Sequence, residues 1–147
     1  MVNVSGSTYT LMLKKMTETT QFGGNTTYSY STLAAKCATF QSNMSAAALS
    51  VTNNKTVQGV TAKVWIATLN DIKNWTDTSD PTSNAWSGVR KWDKGDGVYD
   101  GVGTYGYWCS DRYASTSDVY LILYTGNFAN SSPTGTQGFR PCIEVTQ

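Results

Sequence analysis

The sequence VTAKVWIATLNDIKNW at residues 60–75 joins a predicted strand to a predicted helix, and it decides the fold class of this chain. Residues 60–68 are rich in β-branched and aromatic side chains, which favour a strand. Residues 69–75 read as a short helix, which Thr68 and Asp71 start as a variant of the capping box. Because further strands follow later in the chain, this order is typical of an α+β domain.

Upstream of this stretch the sequence predicts a strand and a long helix. Residues 9–16, YTLMLKKM, read as the first strand, and the Gly-Gly-Asn at residues 23–25 interrupts it. Residues 30–49 read as a helix that Ser31 caps, because apolar side chains recur on one face at helical spacing. We expect this face to pack in the core; it consists of Leu33, Cys37, Phe40, Met44 and Ala48.

Downstream, three further strands are predicted, at residues 107–110 (YWCS), 119–126 (VYLILYTG) and 139–145 (FRPCIEV). The segment between the last two, residues 127–138, is turn-like in composition. The pattern therefore predicts one long and one short helix packed on a small, mostly antiparallel sheet. With 147 residues, the chain suits a single domain spanning residues 1–147.

A long segment between the short helix and the late strands, residues 77–106, combines Gly, Ser and Asp with large aromatic rings. A long loop of this kind is packed by its own side chains or used for contact. Aromatic faces bind both proteins and sugars at a low cost in entropy. We therefore predict a ligand- or partner-binding surface made of Trp86, Arg90, Trp92, Tyr99, Tyr105, Arg112, Tyr113, Asn127 and Phe128.

Four segments together resemble a known family. They are KVWIATLNDIKNW (63–75), GYWCSDR (106–112), DVYLILYTGNF (118–128) and GFRPCIEV (138–145). This set resembles a domain family of unknown function from bacteria and their phages, with a C-type-lectin-like fold related to the formylglycine-generating enzyme. The resemblance implies that fold, and it implies structural roles for Arg140, bonded to carbonyls of the long loop, and for Pro141.

The chain also departs from that family and its relatives. After the aromatic pair it has Cys109-Ser110-Asp111-Arg112, so that Arg112 either replaces the family's arginine or faces solvent. The calcium-dependent sugar motif of true C-type lectins and the close cysteine pair of formylglycine generation are both missing from the sequence. The resemblance therefore implies a fold without a known active site.

The residue composition argues against catalysis and against nucleic acid as a partner. The chain has no His, which removes the usual general base near neutral pH and His-based zinc sites. Its net charge of +1 provides no broad field for nucleic acid. We predict that the chain is not an enzyme and uses no metal or other cofactor. The enzyme alternative is a carboxylate-dependent glycan hydrolase that uses Asp93, Asp96, Asp100 or Asp111.

The chain has three cysteines, Cys37, Cys109 and Cys142, without metal-binding or redox spacing. We expect all three to be buried as small apolar side chains. A disulfide between Cys109 and Cys142 is the alternative, because the family resemblance places their strands near each other.

The predicted location follows from two further features of the sequence. No apolar run is long enough to span a bilayer, and the first residues do not read as a signal peptide, so we expect no membrane insertion. The leading hypothesis is a non-catalytic binding or display module of a phage virion, in a tail, fibre or capsid decoration. Its partner is a host receptor, a glycan or a neighbouring virion protein. A carbohydrate-binding module on a bacterial cell surface and a purely structural decoration protein are the alternatives, and a homo-oligomer stays open.

Overall fold

The structure, a computed structural model, describes residues 2–16, 18–75, 106–114 and 116–147. Helices α1, α2 and α3 span Thr32–Ser42, Ala46–Val51 and Leu69–Trp75, and a 3₁₀ turn spans Tyr28–Tyr30. The strands are β1 Asn3–Ser5, β2 Thr8–Met12, β3 Thr19–Gln21, β4 Lys55–Val57, β5 Val60–Ala62, β6 Val64–Trp65, β7 Gly106–Arg112, β8 Val119–Leu123, β9 Phe128–Ser131, β10 Thr136–Gly138 and β11 Cys142–Thr146.

The described strands form three sheets. A four-stranded sheet has the order β1-β2-β11-β6, a five-stranded sheet has the order β3-β10-β7-β8-β9, and β4 pairs with β5. Among these strands, every pairing is antiparallel except that of β10 with β7, which meet at Gly138 and Tyr107. Because α1, α2 and α3 lie beside mostly antiparallel sheets, the predicted α+β class is confirmed.

The two ends of the described chain meet in the four-stranded sheet. The predicted first strand is in fact the second, because β1 forms a hairpin with β2 through Gly6, whose φ of +59° favours glycine. The last strand, β11, pairs with β2 over five residues, from Cys142 opposite Met12 to Thr146 opposite Thr8. Met12 and Cys142 of this pair lie in one apolar cluster with Ile72 and Trp75 of α3.

The long predicted helix is two helices. Ser31 caps α1 as expected, because its Oγ accepts from the N–H of Ala34 at 2.9 Å. Ser45 has extended backbone (ψ 154°) and its Oγ accepts from Ala48 N–H at 3.2 Å, so it caps α2 and separates it from α1. Serine side chains form hydrogen bonds with nearby backbone groups in this way and so favour helix ends. The spacing of the apolar residues alone did not show this break between the helices.

The strand predicted over residues 60–68 is also divided. Its first part, β5, pairs with β4, whereas β6 pairs with β11 in another sheet. Lys63 lies between them, and its Nζ donates to the carbonyls of Leu49 and Thr52, at 2.6 Å each. The predicted start of α3 is confirmed, because the Thr68 N–H donates to Asp71 Oδ2 at 2.9 Å and the Asp71 N–H donates to Thr68 Oγ1 at 3.0 Å.

The prediction of a turn over residues 127–138 is wrong, because this segment contains two strands. β9 pairs with β8 from Val119 opposite Ser131 to Ile122 opposite Phe128. β10 pairs with β3, at the other end of the chain, through three residue pairs. These partners supply the stabilisation that the polar, turn-like composition of the segment does not supply locally.

The core lies on both faces of the strands. Residues that follow one another along a strand alternate between two apolar clusters: Val64, Trp108 and Leu121 belong to the cluster with α1, and Trp65, Tyr107 and Ile122 to the cluster with α3. The α1 cluster contains the buried Leu33 and Cys37, with Phe40 and Met44 packed against it in partly buried positions. The helices α1 and α3 therefore cover opposite faces of the strands.

Candidate binding surface

The predicted contact surface is described in part. Five of its residues, Trp86, Arg90, Trp92, Tyr99 and Tyr105, and the carboxylates of Asp93, Asp96 and Asp100 lie outside the described residues. The other four, Arg112, Tyr113, Asn127 and Phe128, lie on or beside β7, β8 and β9.

The described residues on both sides of the segment 76–105 lie beside Asn127 and Phe128. At one end, α3 finishes at the buried Trp75, and two residues earlier Lys73 Nζ lies 5.1 Å from the ring centroid of Phe128. At the other end, Gly106 pairs with Leu123, whose N–H donates to the carbonyl of Asn127 at 2.9 Å. The turn between β8 and β9 thus lies next to the described residues on both sides of that segment.

The turn itself presents a polar and an aromatic side chain. Gly126 has a φ of +86°, which favours glycine, and its N–H donates to the Leu123 carbonyl at 2.9 Å. Asn127 is exposed, whereas Phe128 is partly buried and packs against the α3 cluster. The cation of Lys73 over this ring adds an electrostatic contact to the apolar one.

Arg112 and Tyr113 lie at the opposite end of β8. Arg112 pairs with Val119, the first residue of β8, whereas Gly106 pairs with Leu123, the last. Four steps along a strand correspond to about 13 Å. Arg112 is exposed, and its Nε donates to the carbonyl of Thr116 at 2.5 Å. Of the two predicted options, replacing the family's arginine or facing solvent, the structure shows that Arg112 faces solvent. Backbone register therefore separates Arg112 from Asn127.

A residue that the sequence reasoning missed, Tyr120, lies between these two ends. Its ring contacts that of Tyr113 edge to face, with 4.9 Å between centroids and 73° between planes. Tyr120 is opposite Asn130 while Ile122 is opposite Phe128, so Tyr120 and Phe128 are diagonal neighbours on one face. We call Tyr113, Tyr120 and Phe128 the aromatic strip. The sequence did contain a signal for this face, because Tyr120 and Ile122 are two residues apart in a strand and so point to the same side.

The described carboxylate of the enzyme alternative, Asp111, supports α3. Its Oδ1 accepts a hydrogen bond from the N–H of Leu69, the first residue of α3, at 2.8 Å. Burial raises the pKa of Asp111, and the hydrogen bond to Leu69 opposes that shift. Among the described residues, no group of three or more His, Cys, Asp or Glu side chains is arranged to hold a metal ion.

All three cysteines are free and buried, as expected for packing side chains. The alternative disulfide between Cys109 and Cys142 is therefore not formed. Burial raises the pKa of each thiol, to about 12 for Cys37, whose Sγ accepts a hydrogen bond from the hydroxyl of Tyr28 at 3.8 Å. Thiols held in the neutral form by apolar surroundings are poor nucleophiles.

Arg140 is buried, with 2% of its surface exposed. Its Nε donates to the carbonyl of Leu13 at 3.1 Å, just beyond β2, and its guanidinium lies 4.8 Å from the ring centroid of Tyr107. The carbonyl of the next residue, Pro141, accepts a hydrogen bond from the N–H of Leu13 at 2.9 Å, directly before β11 starts. The structure thus connects Arg140 to Leu13 and β7. The carbonyls of the long loop, which the resemblance implied as its partners, lie outside the described residues.

Comparison of the chain with protein-family models, with curated proteins and with solved structures found no match. The resemblance of the sequence to a family from bacteria and their phages thus stays a prediction. Within the described ranges, no helix is long and apolar enough to cross a membrane.

Proposed function

We propose that this chain is a non-catalytic binding and display module of a phage virion. Its contact surface consists of the aromatic strip, the exposed Asn127 and the aromatic residues of the segment 76–105. Its partner is a host receptor, a glycan or a neighbouring virion protein. The observation that carries the proposal is the position of Phe128, which lies beside the described residues on both sides of that segment and on the same sheet face as Tyr120.

The strip has the physical properties of a recognition surface. Its rings are partly buried, so each presents some area to a partner while its other side is held by the sheet. The contact between Tyr113 and Tyr120 and the packing of Phe128 against the core restrict their rotamers in the free protein. Rings that are already ordered lose little entropy on binding, which is why aromatic residues dominate paratopes and binding hot spots.

We also propose that the fold is C-type-lectin-like. Three features support this: β2 and β11 join the chain's two ends, α1 and α3 cover opposite faces of the strands, and a long segment precedes the sheet formed by β7, β8 and β9. An experimental structure would test the proposal. A topology in which β11 does not pair with β2 would contradict it.

The virion assignment is tested by mass spectrometry of phage particles purified on a density gradient from the source culture. We expect peptides of this chain at a constant ratio to the capsid protein across the particle peak. If the chain is found only in the host's soluble fraction, the virion proposal is wrong.

The contact surface is tested by substitution on the strip. We expect Tyr120→Ala and Phe128→Ala each to weaken binding to intact host cells, or to particles that lack the chain, by about tenfold or more, which is about 1.4 kcal/mol. The matched control is Tyr30→Ala, which removes a tyrosine that is 81% exposed, in the 3₁₀ turn that precedes α1. Melting temperatures measured alongside separate loss of binding from loss of folding. Unchanged binding by folded strip variants would contradict the assignment.

A further inference from the structure

We propose a second binding site on this chain, a polar cleft that takes a neutral polyhydroxylated ligand, namely a sugar residue. The polar cleft lies between the four-stranded sheet and α3 and has a volume of about 380 Å³. Its walls include Thr8, Thr10 and Glu144 from the sheet, Lys55 from β4, and Asn74 and Trp75 from α3. The site does not depend on the proposed function, because it uses none of the residues of the aromatic strip.

The register of β2 and β11 creates the cleft. On one face of this pair, Met12 is opposite Cys142, then Thr10 is opposite Glu144, and Thr8 is opposite Thr146. The face thus changes from apolar at Met12 and Cys142 to polar at the next pair on the same face, Thr10 and Glu144. The apolar end belongs to the core cluster that α3 covers, so the polar cleft opens where that cluster stops.

The helix α3 separates the cleft from the aromatic strip. Asp71, Asn74 and Trp75 are spaced three and four residues apart, so they share the helix face that lines the cleft. Lys73 points elsewhere, because its Nζ lies over the ring of Phe128. One short helix therefore contributes to two distinct surfaces.

The charges at the cleft favour a neutral ligand. Lys55 Nζ and Glu144 Oε2 form an ion pair at 2.9 Å, with side-chain exposures of 37% and 17%, so they neutralise each other. Lys55 Nζ also lies 5.3 Å from the ring centroid of Trp65, which limits its freedom to turn towards an anion. Asp71 adds a carboxylate to the same wall and makes the cleft unfavourable for phosphate or sulfate groups.

The polar groups of the cleft match the hydroxyl groups of a sugar. The amide of Asn74 supplies donors and an acceptor, the hydroxyls of Thr8 and Thr10 supply both, and Glu144 supplies acceptors. Trp75 closes the apolar side of the cleft, where 7% of its surface is exposed, and an edge-to-face contact with Trp65 at 5.9 Å holds it in place. The volume lies within the range of about 300–1,000 Å³ that is usual for small-molecule sites.

The test is an NMR titration of the ¹⁵N-labelled chain with three probes: methyl α-D-glucopyranoside, methyl β-D-galactopyranoside and N-acetylglucosamine. We expect at least one probe to shift the backbone amides of Thr8, Thr10, Asn74 and Glu144 with a millimolar Kd. The same titration of Asn74→Ala and of Thr8→Val should give a Kd at least about tenfold weaker.

Asn43→Ala is the matched control, because it removes an exposed asparagine at the end of α1, on the other side of the strands, and should leave the titration unchanged. The dispersion of each variant's spectrum reports whether it is folded. The proposal is overturned if no probe shifts these amides, if the shifts are confined to β8 and β9, or if both cleft variants bind as the parent does. Failure of the strip variants to affect partner binding would instead contradict the proposed function and leave this site standing.

Discussion

Asp111 Oδ1 on β7 accepts a 2.8 Å hydrogen bond from the N–H of Leu69 at the start of α3, 42 residues away in sequence. The first turn of α3 is thus held by two carboxylates, since Asp71 accepts from the N–H of Thr68 within the capping box. Unpaired N–H groups at a helix start carry a partial positive charge, which favours both contacts. This relationship ties the helix that lines the polar cleft to the sheet that carries the aromatic strip.

The stability of the chain should depend on pH through Asp111. Burial raises its pKa above the ordinary value, so the folded state favours the protonated form. The contribution of Asp111 to the free energy of unfolding is therefore fully present below the ordinary pKa of an aspartate. It is lost as the pH rises through the raised pKa of the folded state. Asp111→Asn keeps an acceptor for Leu69 without the charge. We expect the free energy of unfolding of Asp111→Asn, relative to the parent, to increase from pH 3 to pH 7 in urea titrations.

Asp111→Ala is the matched variant, because it removes the acceptor as well as the charge. We expect it to lower the free energy of unfolding by about 1–3 kcal/mol at neutral pH, since the N–H of Leu69 loses its partner. If the Asn and Ala substitutions change the free energy of unfolding equally and independently of pH, the hydrogen bond from Leu69 contributes nothing to stability.

The helix α1 should be more sensitive to truncation at Leu33 than at Phe40. Leu33 is 0% exposed within its cluster, whereas Phe40 is only partly buried at its edge. Leu33→Ala should cost about 2–5 kcal/mol because it leaves a cavity, and Phe40→Ala should cost less than the about 3–5 kcal/mol typical of a buried phenylalanine. Chemical denaturation of both variants measures the difference. A larger loss for Phe40→Ala would contradict the packing described here.

Glycine is required at position 106, where β7 starts. A Cβ atom there would lie 2.5 Å from the carbonyl oxygen of Ile122 and 2.8 Å from Leu121 Cδ1, and the backbone oxygen has no room to retreat within a paired strand. We expect Gly106→Ala to lower the free energy of unfolding by about 1–3 kcal/mol or more. The control is Gly24→Ala, because a Cβ at Gly24 meets no atom within 4 Å. Similar stability of the two variants in thermal melts would refute this close approach.

The three thiols should be unreactive in the folded protein. Each is buried and free, and burial raises each pKa, so little thiolate forms near neutral pH. Ellman's reagent should label none of them in native buffer and all three in denaturant without a reductant. If the unreduced, denatured chain yields a single thiol, the Cys109–Cys142 disulfide forms after all.

Local signals in the sequence predicted the local features of this fold. The capping side chains of Ser31 and of Thr68 with Asp71 act within three residues, so their partners are visible in the sequence. Apolar runs likewise predicted β2 and β8, because burial on a sheet requires such residues wherever the partner strand lies. The division of the long helix at Ser45 was also a local signal, but the apolar spacing obscured it.

The tertiary structure decided everything that depends on partners distant in sequence. β10 is a strand because it pairs with β3 and β7, whereas its composition alone reads as a turn. Tyr120 joins Tyr113 to Phe128 only through the register of β8 and β9. The polar cleft combines Thr10 with Glu144 and α3, which no spacing in the sequence relates. Side-chain period determines which residues share a face, but strand register, which is set by long-range pairing, determines which faces meet.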